Sequence, residues 1–342
     1  MVVVTSHPPF TEGGHLVLAR SLVTALREAG CAAEIIYTPQ NRFGRQLSAY
    51  LATRLTDVER THDDQPIDRV ISTRFPAYAV RHPVHVCWLN HRMREYYDLW
   101  DRWYPTLSHR ARAKERVRRA LVHRLDYYFL SRLRARFVQS RTIQDRLSRW
   151  GGLDSEVLYP PPPPRAYRTD AYEPYIFAVS RLHPLKRLDL LVEAAALMPA
   201  GLRVVIGGEG EEAKRLAQLA RERNVERRVT LLGRITDSQL LDHLARCRAV
   251  FFGPLSEDYG FVTLEAFRSR KPVITCRDSG GPAELVVHGE SGWIVEPTPA
   301  AVARVCEALA DGSDLAERFG GAGCERTAHI QWDRTVVRLL EA

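Results

Sequence analysis

The second half of this chain alternates short apolar runs with amphipathic helical ones, and few folds accept that rhythm. YIFAVS, LRVVIGG, RVTLLG, AVFFGP, PVITC and WIVEP read as strands, and LDLLVEAAALM, EEAKRLAQLARERN and SQLLDHLARC as helices between them. Strands separated by helices must run parallel, so this half predicts an open, doubly wound α/β domain. The first half begins the same way. VVVTS predicts a strand, and Leu18, Leu22, Ala25, Leu26 and Ala29 recur at helical spacing as far as Gly30, which suits a C-terminal cap. AAEIIYT follows, with further strands expected at 68–73, 84–89 and 136–140 and a helix running on to about Trp150.

Between the halves stands YPPPPP, Tyr159 to Pro164. Proline cannot continue a helix and favours extended geometry, so the run marks a stiff linker. The fold class expected is α/β with two Rossmann-like doubly wound domains, at 1–160 and 161–325. A short helix within 326–342 could pack on either. A chain of 342 residues accommodates two domains of ordinary size.

The opening MVVVTSHPPF shows no basic leader, long apolar core or cleavage site. No stretch approaches the ~20 apolar residues that span a bilayer. The six cysteines are scattered without a Cys-x-x-Cys pair, which fits reduced thiols better than disulfides or a zinc site. These features lead us to expect a cytoplasmic protein. The net charge of +8 owes much to arginines between His109 and Trp150. Such a segment could seek nucleic-acid phosphates, or dock on anionic lipid, because Leu121, Leu125, Tyr128, Phe129 and Leu133 interleave with the arginines. It could equally be a solvated helix face. Membrane contact through 109–150 would place the protein on the inner face of the membrane, and nucleic acid is not expected as a partner.

The residues suited to chemistry lie in PLSEDYGFVTLEAFRSRKPVITC, 254–276. A strand ends near Pro254, a polar loop follows, and a helix begins near Gly260, where glycine lets a ligand approach the backbone. The first amides, at Gly260, Phe261 and Val262, lie at the positive end of the helix dipole and suit a diphosphate. Glu257 precedes the turn and Glu265 lies in the helix. A carboxylate can accept from two vicinal hydroxyls of a ribose or hexose, although two glutamates near a loop are also common as a cap and a surface charge. In SRLHPLKRLDLLVEA, 180–194, Arg181 and Lys186 occupy the loop after the domain's first strand, the edge where open α/β sheets bind ligands. Two cations there could neutralise a diphosphate leaving group in place of a metal ion, and no Asp-x-Asp is present to hold one. Taken alone, they would pass for solvated loop charges.

GGEGEEA, 207–213, imitates the dinucleotide fingerprint through Gly208, Gly210 and Ala213. That fingerprint belongs after a domain's first strand and needs an acid at the end of the next. Here it follows the second strand, and the next one ends in Gly233 and Arg234. An NAD-dependent oxidoreductase is therefore a lesser alternative.

SRLHPLK followed some seventy residues later by EDYGFVTLE resembles the family 4 glycosyltransferases of GT-B fold. The likeness continues through KPVI, SGGPAELV and HGESGWIV and covers essentially the whole second domain. More thinly, SHPPFTEGGH resembles the family's glycine-rich loop, with Gly13 and Gly14 close to the donor diphosphate. CWLNHRMREYYDLW resembles the segment carrying the active-site histidine, here His91, and QSRTIQDRLSRWG with VLYPPP the strand, helix and hinge. Asp258 departs from the pattern, since many members have glycine there, and this bears on donor-sugar identity.

The resemblance implies retaining transfer of a sugar from a nucleotide-diphosphate sugar to a hydroxyl of a glycan, lipid-linked or small-molecule acceptor. Two lobes would face each other across a cleft that closes about the proline hinge. Arg181, Lys186, Gly260, Phe261, Val262, Gly13 and Gly14 would hold the diphosphate, Glu265 the nucleotide ribose, and Glu257 the donor sugar or its phosphate edge. Gly208 and Arg234 would touch the base or its ribose, and His91 would support the donor sugar and an oxocarbenium-like state. No cofactor or metal is implied; the nucleotide sugar is a co-substrate. A GT-B phosphorylase or epimerase would share the fold, but Arg181, Lys186, Glu257 and Glu265 together favour transfer. A basic nucleic-acid-binding protein would be indifferent to Glu257→Ala.

Overall fold

The computed structural model describes residues 1–7, 13–39 and 43–342. The chain divides into two compact units, Met1–Pro163 together with Ile330–Ala342, and Pro164–His329.

The first unit holds β1 (Val2–His7), β2 (Glu34–Pro39), β3 (Val70–Ser72), β4 (His85–Leu89), β5 (Ala135–Val138) and β6 (Glu156–Val157). They form one parallel sheet in the order β2-β1-β3-β4-β5-β6. Val3, Val4, Val70, Ile71, Val86 and Trp88 are fully buried, as central parallel strands are when helices cover the sheet. The helices are α1 (Gly14–Glu28), α2 (Gln46–Arg54), α3 (Trp100–Trp103), α4 (His109–Leu130) and α5 (Arg141–Arg149). Gly30, at φ 83°, ends the first helix as its position in the sequence suggests. The sequence pattern did not announce α2. Its leucines point outward while Gln46, Tyr50 and Thr53 are buried, so apolar periodicity marks the wrong face.

A carboxylate ties α4 to α2 and to two neighbouring loops. Asp126 on α4 is fully buried and accepts hydrogen bonds from the hydroxyls of Tyr50, Tyr78 and Tyr97, the last at 2.6 Å. Burial pushes its pKa upward against the opposing pull of Arg92 and the three hydroxyls. The C-terminal helix, Trp332–Glu341, packs on this unit: Trp332 Nε1 donates to the Pro162 carbonyl at 3.1 Å, and Arg69 donates to the Leu339 carbonyl at 2.8 Å.

Two histidines make the first unit sensitive to acid. His85 lies 2.8 Å from Ser72 Oγ, and burial, then His82, lowers its pKa to about 3. His15, in the first turn of α1, is lowered to about 3 by burial, then Arg74, His91 and His7. Both folded values lie below the ordinary 6.5, so between these limits the unfolded chain binds more protons. Their contribution to stability is complete above pH 6.5 and is lost as pH falls toward 3. The melting temperature should fall as pH is lowered from neutrality, and His85→Gln should flatten the slope. An identical slope in the variant would refute this origin.

The second unit holds β7 (Glu173–Val179), β8 (Arg203–Gly207), β9 (Val229–Gly233), β10 (Cys247–Phe251), β11 (Val273–Cys276) and β12 (Gly292–Val295). Its sheet is also parallel, in the order β9-β8-β7-β10-β11-β12. The helices are α6 (Leu188–Ala195), α7 (Ala213–Glu222), α8 (Asp237–Arg246), α9 (Phe261–Arg268), α10 (Gly281–Leu285), α11 (Pro299–Ala308) and α12 (Asp314–Thr327). Leu191, Val192, Val204, Ile274 and Val302 are fully buried in the core; such side chains each contribute about 2 kcal/mol by leaving water. The strand order reverses between β7 and β10 here, and between β1 and β3 in the first unit. In open parallel sheets that reversal opens a crevice at the carboxyl ends of the strands.

Candidate functional site

In the second unit the loops following β7 and β10 meet at the reversal. The Leu255 amide donates to the Leu185 carbonyl at 2.7 Å, fastening one loop to the other. Lys186 Nζ then stands 2.6 Å from Glu257 Oε2, with both side chains mostly buried. The SGG segment after β11 braces the acidic loop from the other side: Glu257 N donates to Ser279 O at 2.7 Å and Gly281 N to Glu257 O at 3.0 Å. Gly280, at φ 74°, is required there, because a Cβ would lie 2.5 Å from the Glu257 carbonyl.

Arg187 completes the brace. Its backbone is left-handed at φ 50°. Its guanidinium donates to the Gly253 carbonyl at 2.9 Å and the Pro254 carbonyl at 2.8 Å, and pairs with Asp278 at 2.6 Å. Sequence reasoning passed over this residue, although an arginine beside Lys186 and an acid just after β11 were both visible. It organises three loops at one sheet edge, which a linear motif does not express.

The helix α9 starts at the same edge. Gly260 is its N-cap at φ 84°, and Phe261 and Val262 supply the first-turn amides that have no carbonyl one turn back. The structure gives Gly260 a different reason from ligand access: a Cβ would lie 2.4 Å from the Phe252 ring and 3.2 Å from Pro282. Asp258, two residues before Gly260, is buried.

Gly208 is also explained by packing. At φ 134° its backbone lies against the loop after β7, and a Cβ would stand 1.8 Å from the Ser180 carbonyl oxygen. Gly210 meets the Leu182 carbonyl in the same way, at 2.2 Å. The apparent dinucleotide fingerprint is thus the imprint of two loops in backbone contact. Gly208→Ala should destabilise the protein by on the order of 3 kcal/mol, combining a strained φ with a backbone clash. A urea unfolding midpoint equal to that of the wild type would refute this account.

The other expected residues are dispersed. Arg181 is exposed; its carbonyl accepts from Ser180 Oγ at 3.2 Å, and its side chain makes no hydrogen bond or ion pair among the described residues. Arg234 is exposed at the end of the edge strand β9, one residue past Gly233, whose carbonyl accepts from the Gly208 amide at 2.7 Å. Glu265 contacts neither cation. It is buried on α9, and its carboxylate is held by Arg165 and by the Tyr167 hydroxyl at 3.4 Å. Burial raises its pKa, against the pull of Arg165. Arg165 also reaches Asp237 at the start of α8. No sequence motif pointed to Arg165, which lies just beyond the proline run.

In the first unit, the glycine-rich loop falls partly outside the described residues, from Pro8 to Glu12. Gly13 is the extended N-cap of α1 and Gly14 its first residue. His91 follows β4, and its carbonyl accepts from the Phe75 amide at 3.2 Å. Its side chain lies close enough to His15 to disfavour positive charge there.

Two parallel six-stranded sheets in this arrangement define the GT-B fold. The sucrose-phosphate synthase of Thermosynechococcus elongatus shares it, with a TM-score of 0.79 at 18% identity over 99% of this chain and 97% of that one. The HepE protein of Anabaena, solved with UDP and glucose, gives 0.72 at 18% identity over 100% of this chain and 98% of its own. Residues 164–326 match the family model described as Glycosyl transferases group 1, a span lying within the second unit. The alpha-1,3/1,6-mannosyltransferase ALG2 of Mus musculus is 35% identical over 118 residues, 34% of this chain and 28% of that protein. The chain spans 20% to 48% of the next three curated relatives. Among the described residues no helix is long and apolar enough to cross a membrane.

Proposed function

We propose that this chain is a metal-independent glycosyltransferase of family 4 type, moving a sugar from a nucleoside-diphosphate sugar to an acceptor hydroxyl with retention at the anomeric carbon. The observation that carries this reading is the Lys186–Glu257 pair at the sheet reversal, beside the start of α9. A cation, free helix amides and a carboxylate side by side suit a diphosphate joined to a polyhydroxylated ring. The group 1 match over the second unit and the UDP and glucose bound to the HepE neighbour support it.

In this reaction the bond from the anomeric carbon to the diphosphate oxygen breaks, and a bond from that carbon to the acceptor oxygen forms. The departing diphosphate takes the acceptor's proton. Lys186, Arg181 and the amides of Phe261 and Val262 stabilise the charge that develops on it, which is the main catalytic contribution. Glu257 orients Lys186 and accepts from the donor sugar. Glu265, fixed by Arg165, presents its carboxylate to the ribose, while Arg234 lies toward the base. His91 supports the sugar as positive charge develops on it. The acceptor is a glycan, lipid-linked or small-molecule hydroxyl, and we place the reaction in glycan biosynthesis in the cytoplasm.

The test is a thermal-shift panel of UDP, GDP, TDP, ADP and NAD on the wild type and Lys186→Ala. Stabilisation by one nucleoside diphosphate, lost in the variant, is expected and names the donor class. With that donor, EDTA should leave transfer intact. Stabilisation by NAD alone would overturn the proposal.

A further inference from the structure

The exposed large apolar side chains of the described residues are unevenly distributed. Most stand on or beside α2 and α4 of the first unit, including Leu51 at 61% exposure, Leu55 at 74% and Val117 at 63%. On α2 and its C-cap, Leu47, Leu51 and Leu55 recur every four residues, turned away from buried Gln46, Tyr50 and Thr53. On α4, Arg110, Lys114, Val117, Leu121, Arg124 and Tyr128 share one stripe by helical periodicity, opposite buried Glu115, Val122, Asp126 and Leu130. The two helices are neighbours in one layer: Tyr50 donates to Asp126, and its ring lies 5.7 Å from that of Phe129. Gly44, just before α2, also lies beside the Arg118 guanidinium, so the exposed side chains of the two helices flank a common seam.

The charge that α2 and α4 themselves expose has one sign, and the nearest exposed acids in sequence, Asp57 and Glu59, lie just beyond the end of α2. The sequence of α2 contains no acid. Both acids of α4 are buried and occupied, Glu115 by Arg118 and Tyr96, Asp126 by the three tyrosines. Arg110, Lys114 and Arg124 are exposed and form no ion pair among the described residues. The structure also corrects the sequence pattern here. Leu125 and Phe129 pack against the core and Leu133 is buried, so of the interleaved apolar residues only Leu121 and Tyr128 face outward. The leucines of α2, outside the 109–150 segment, take their place.

We propose that this joint face of α2 and α4 docks on an anionic lipid bilayer. Lysine and arginine meet the headgroup phosphates while leucine and tyrosine enter the acyl boundary beneath them. A second copy of the chain fits poorly, since a two-fold contact would press the cationic stripe against itself. Nucleic acid would use the cations and leave the leucines in water. The proposal is independent of the transferase reading, because it concerns a face without any residue assigned to donor binding.

The test is co-sedimentation of the full chain with vesicles of phosphatidylcholine alone and of phosphatidylcholine mixed with phosphatidylglycerol. Binding to the mixed vesicles only, weakening with added salt, is expected. Lys114→Ala with Arg124→Ala should reduce it roughly 25-fold, at about fivefold per cation. Leu51→Ser with Leu55→Ser should reduce it about tenfold or more, with unchanged circular dichroism and nucleotide binding. Equal binding to both vesicle types, or full binding by the leucine variant, would overturn the proposal. So would a wild-type dimer in sedimentation velocity that the leucine variant abolishes, or RNA binding lost in the cation variant without vesicle binding.

Discussion

Lys186→Ala should weaken nucleoside-diphosphate binding roughly ten- to a hundredfold, the worth of a charge-assisted hydrogen bond in a mostly buried site. The structure sharpens this expectation. Lys186 is 2.6 Å from Glu257, so its removal deletes a cation and leaves a carboxylate uncompensated where the diphosphate would lie. Repulsion adds to lost attraction. Isothermal titration with the diphosphate identified by thermal shift measures the effect, and Lys186→Arg should recover part of it because charge is kept while geometry changes. The loop itself should survive, since Leu255 N to Leu185 O and the Arg187 bonds do not involve the lysine side chain. Unchanged affinity in a folded Lys186→Ala protein would remove Lys186 from the donor site.

His91→Ala should lower kcat about a hundredfold, comparable to deleting one preorganised group that stabilises a transition state, and leave nucleotide affinity unaltered. The separation follows from the proposed role. The role proposed for His91 is toward the sugar and not the nucleotide, and its backbone is fixed by the Phe75 amide whichever side chain it carries. Steady-state kinetics with the donor sugar, combined with titration of the free nucleotide, separates the two effects. A parallel fall in nucleotide affinity would make His91 a ground-state binding residue instead.

The two units were legible in sequence to different degrees. All six strands of the second unit were visible because each is a short apolar run bounded by a helix with a clear apolar stripe. The first unit hid α2, whose leucines face outward, and β6, only two residues long. The group 1 match falls in the same half that the motifs had marked. Among candidate residues, Lys186 and Glu257 were named from separate motifs, and the fold brings them into contact. Glu265 was named for a ribose, and the fold gives its carboxylate to Arg165 and Tyr167, a pairing across 100 residues for the first of them.

What the sequence determined by itself was the alternation of elements, and with it two parallel sheets, because buried strands and amphipathic helices impose distinct local periods. It also determined which segments carry charge suited to a diphosphate. Only the tertiary structure decided why the glycines are glycines. Gly208 and Gly280 are each required by the backbone of another loop, at 1.8 and 2.5 Å from the missing Cβ, and Gly260 by the Phe252 ring folded back on it, at 2.4 Å. It alone decided that Arg187 binds three loops together, and that the acids of α4 turn inward while its Arg110, Lys114 and Arg124 remain in water. Periodicity is a property of neighbours along the chain, whereas close approach and charge pairing depend on residues that only folding makes neighbours.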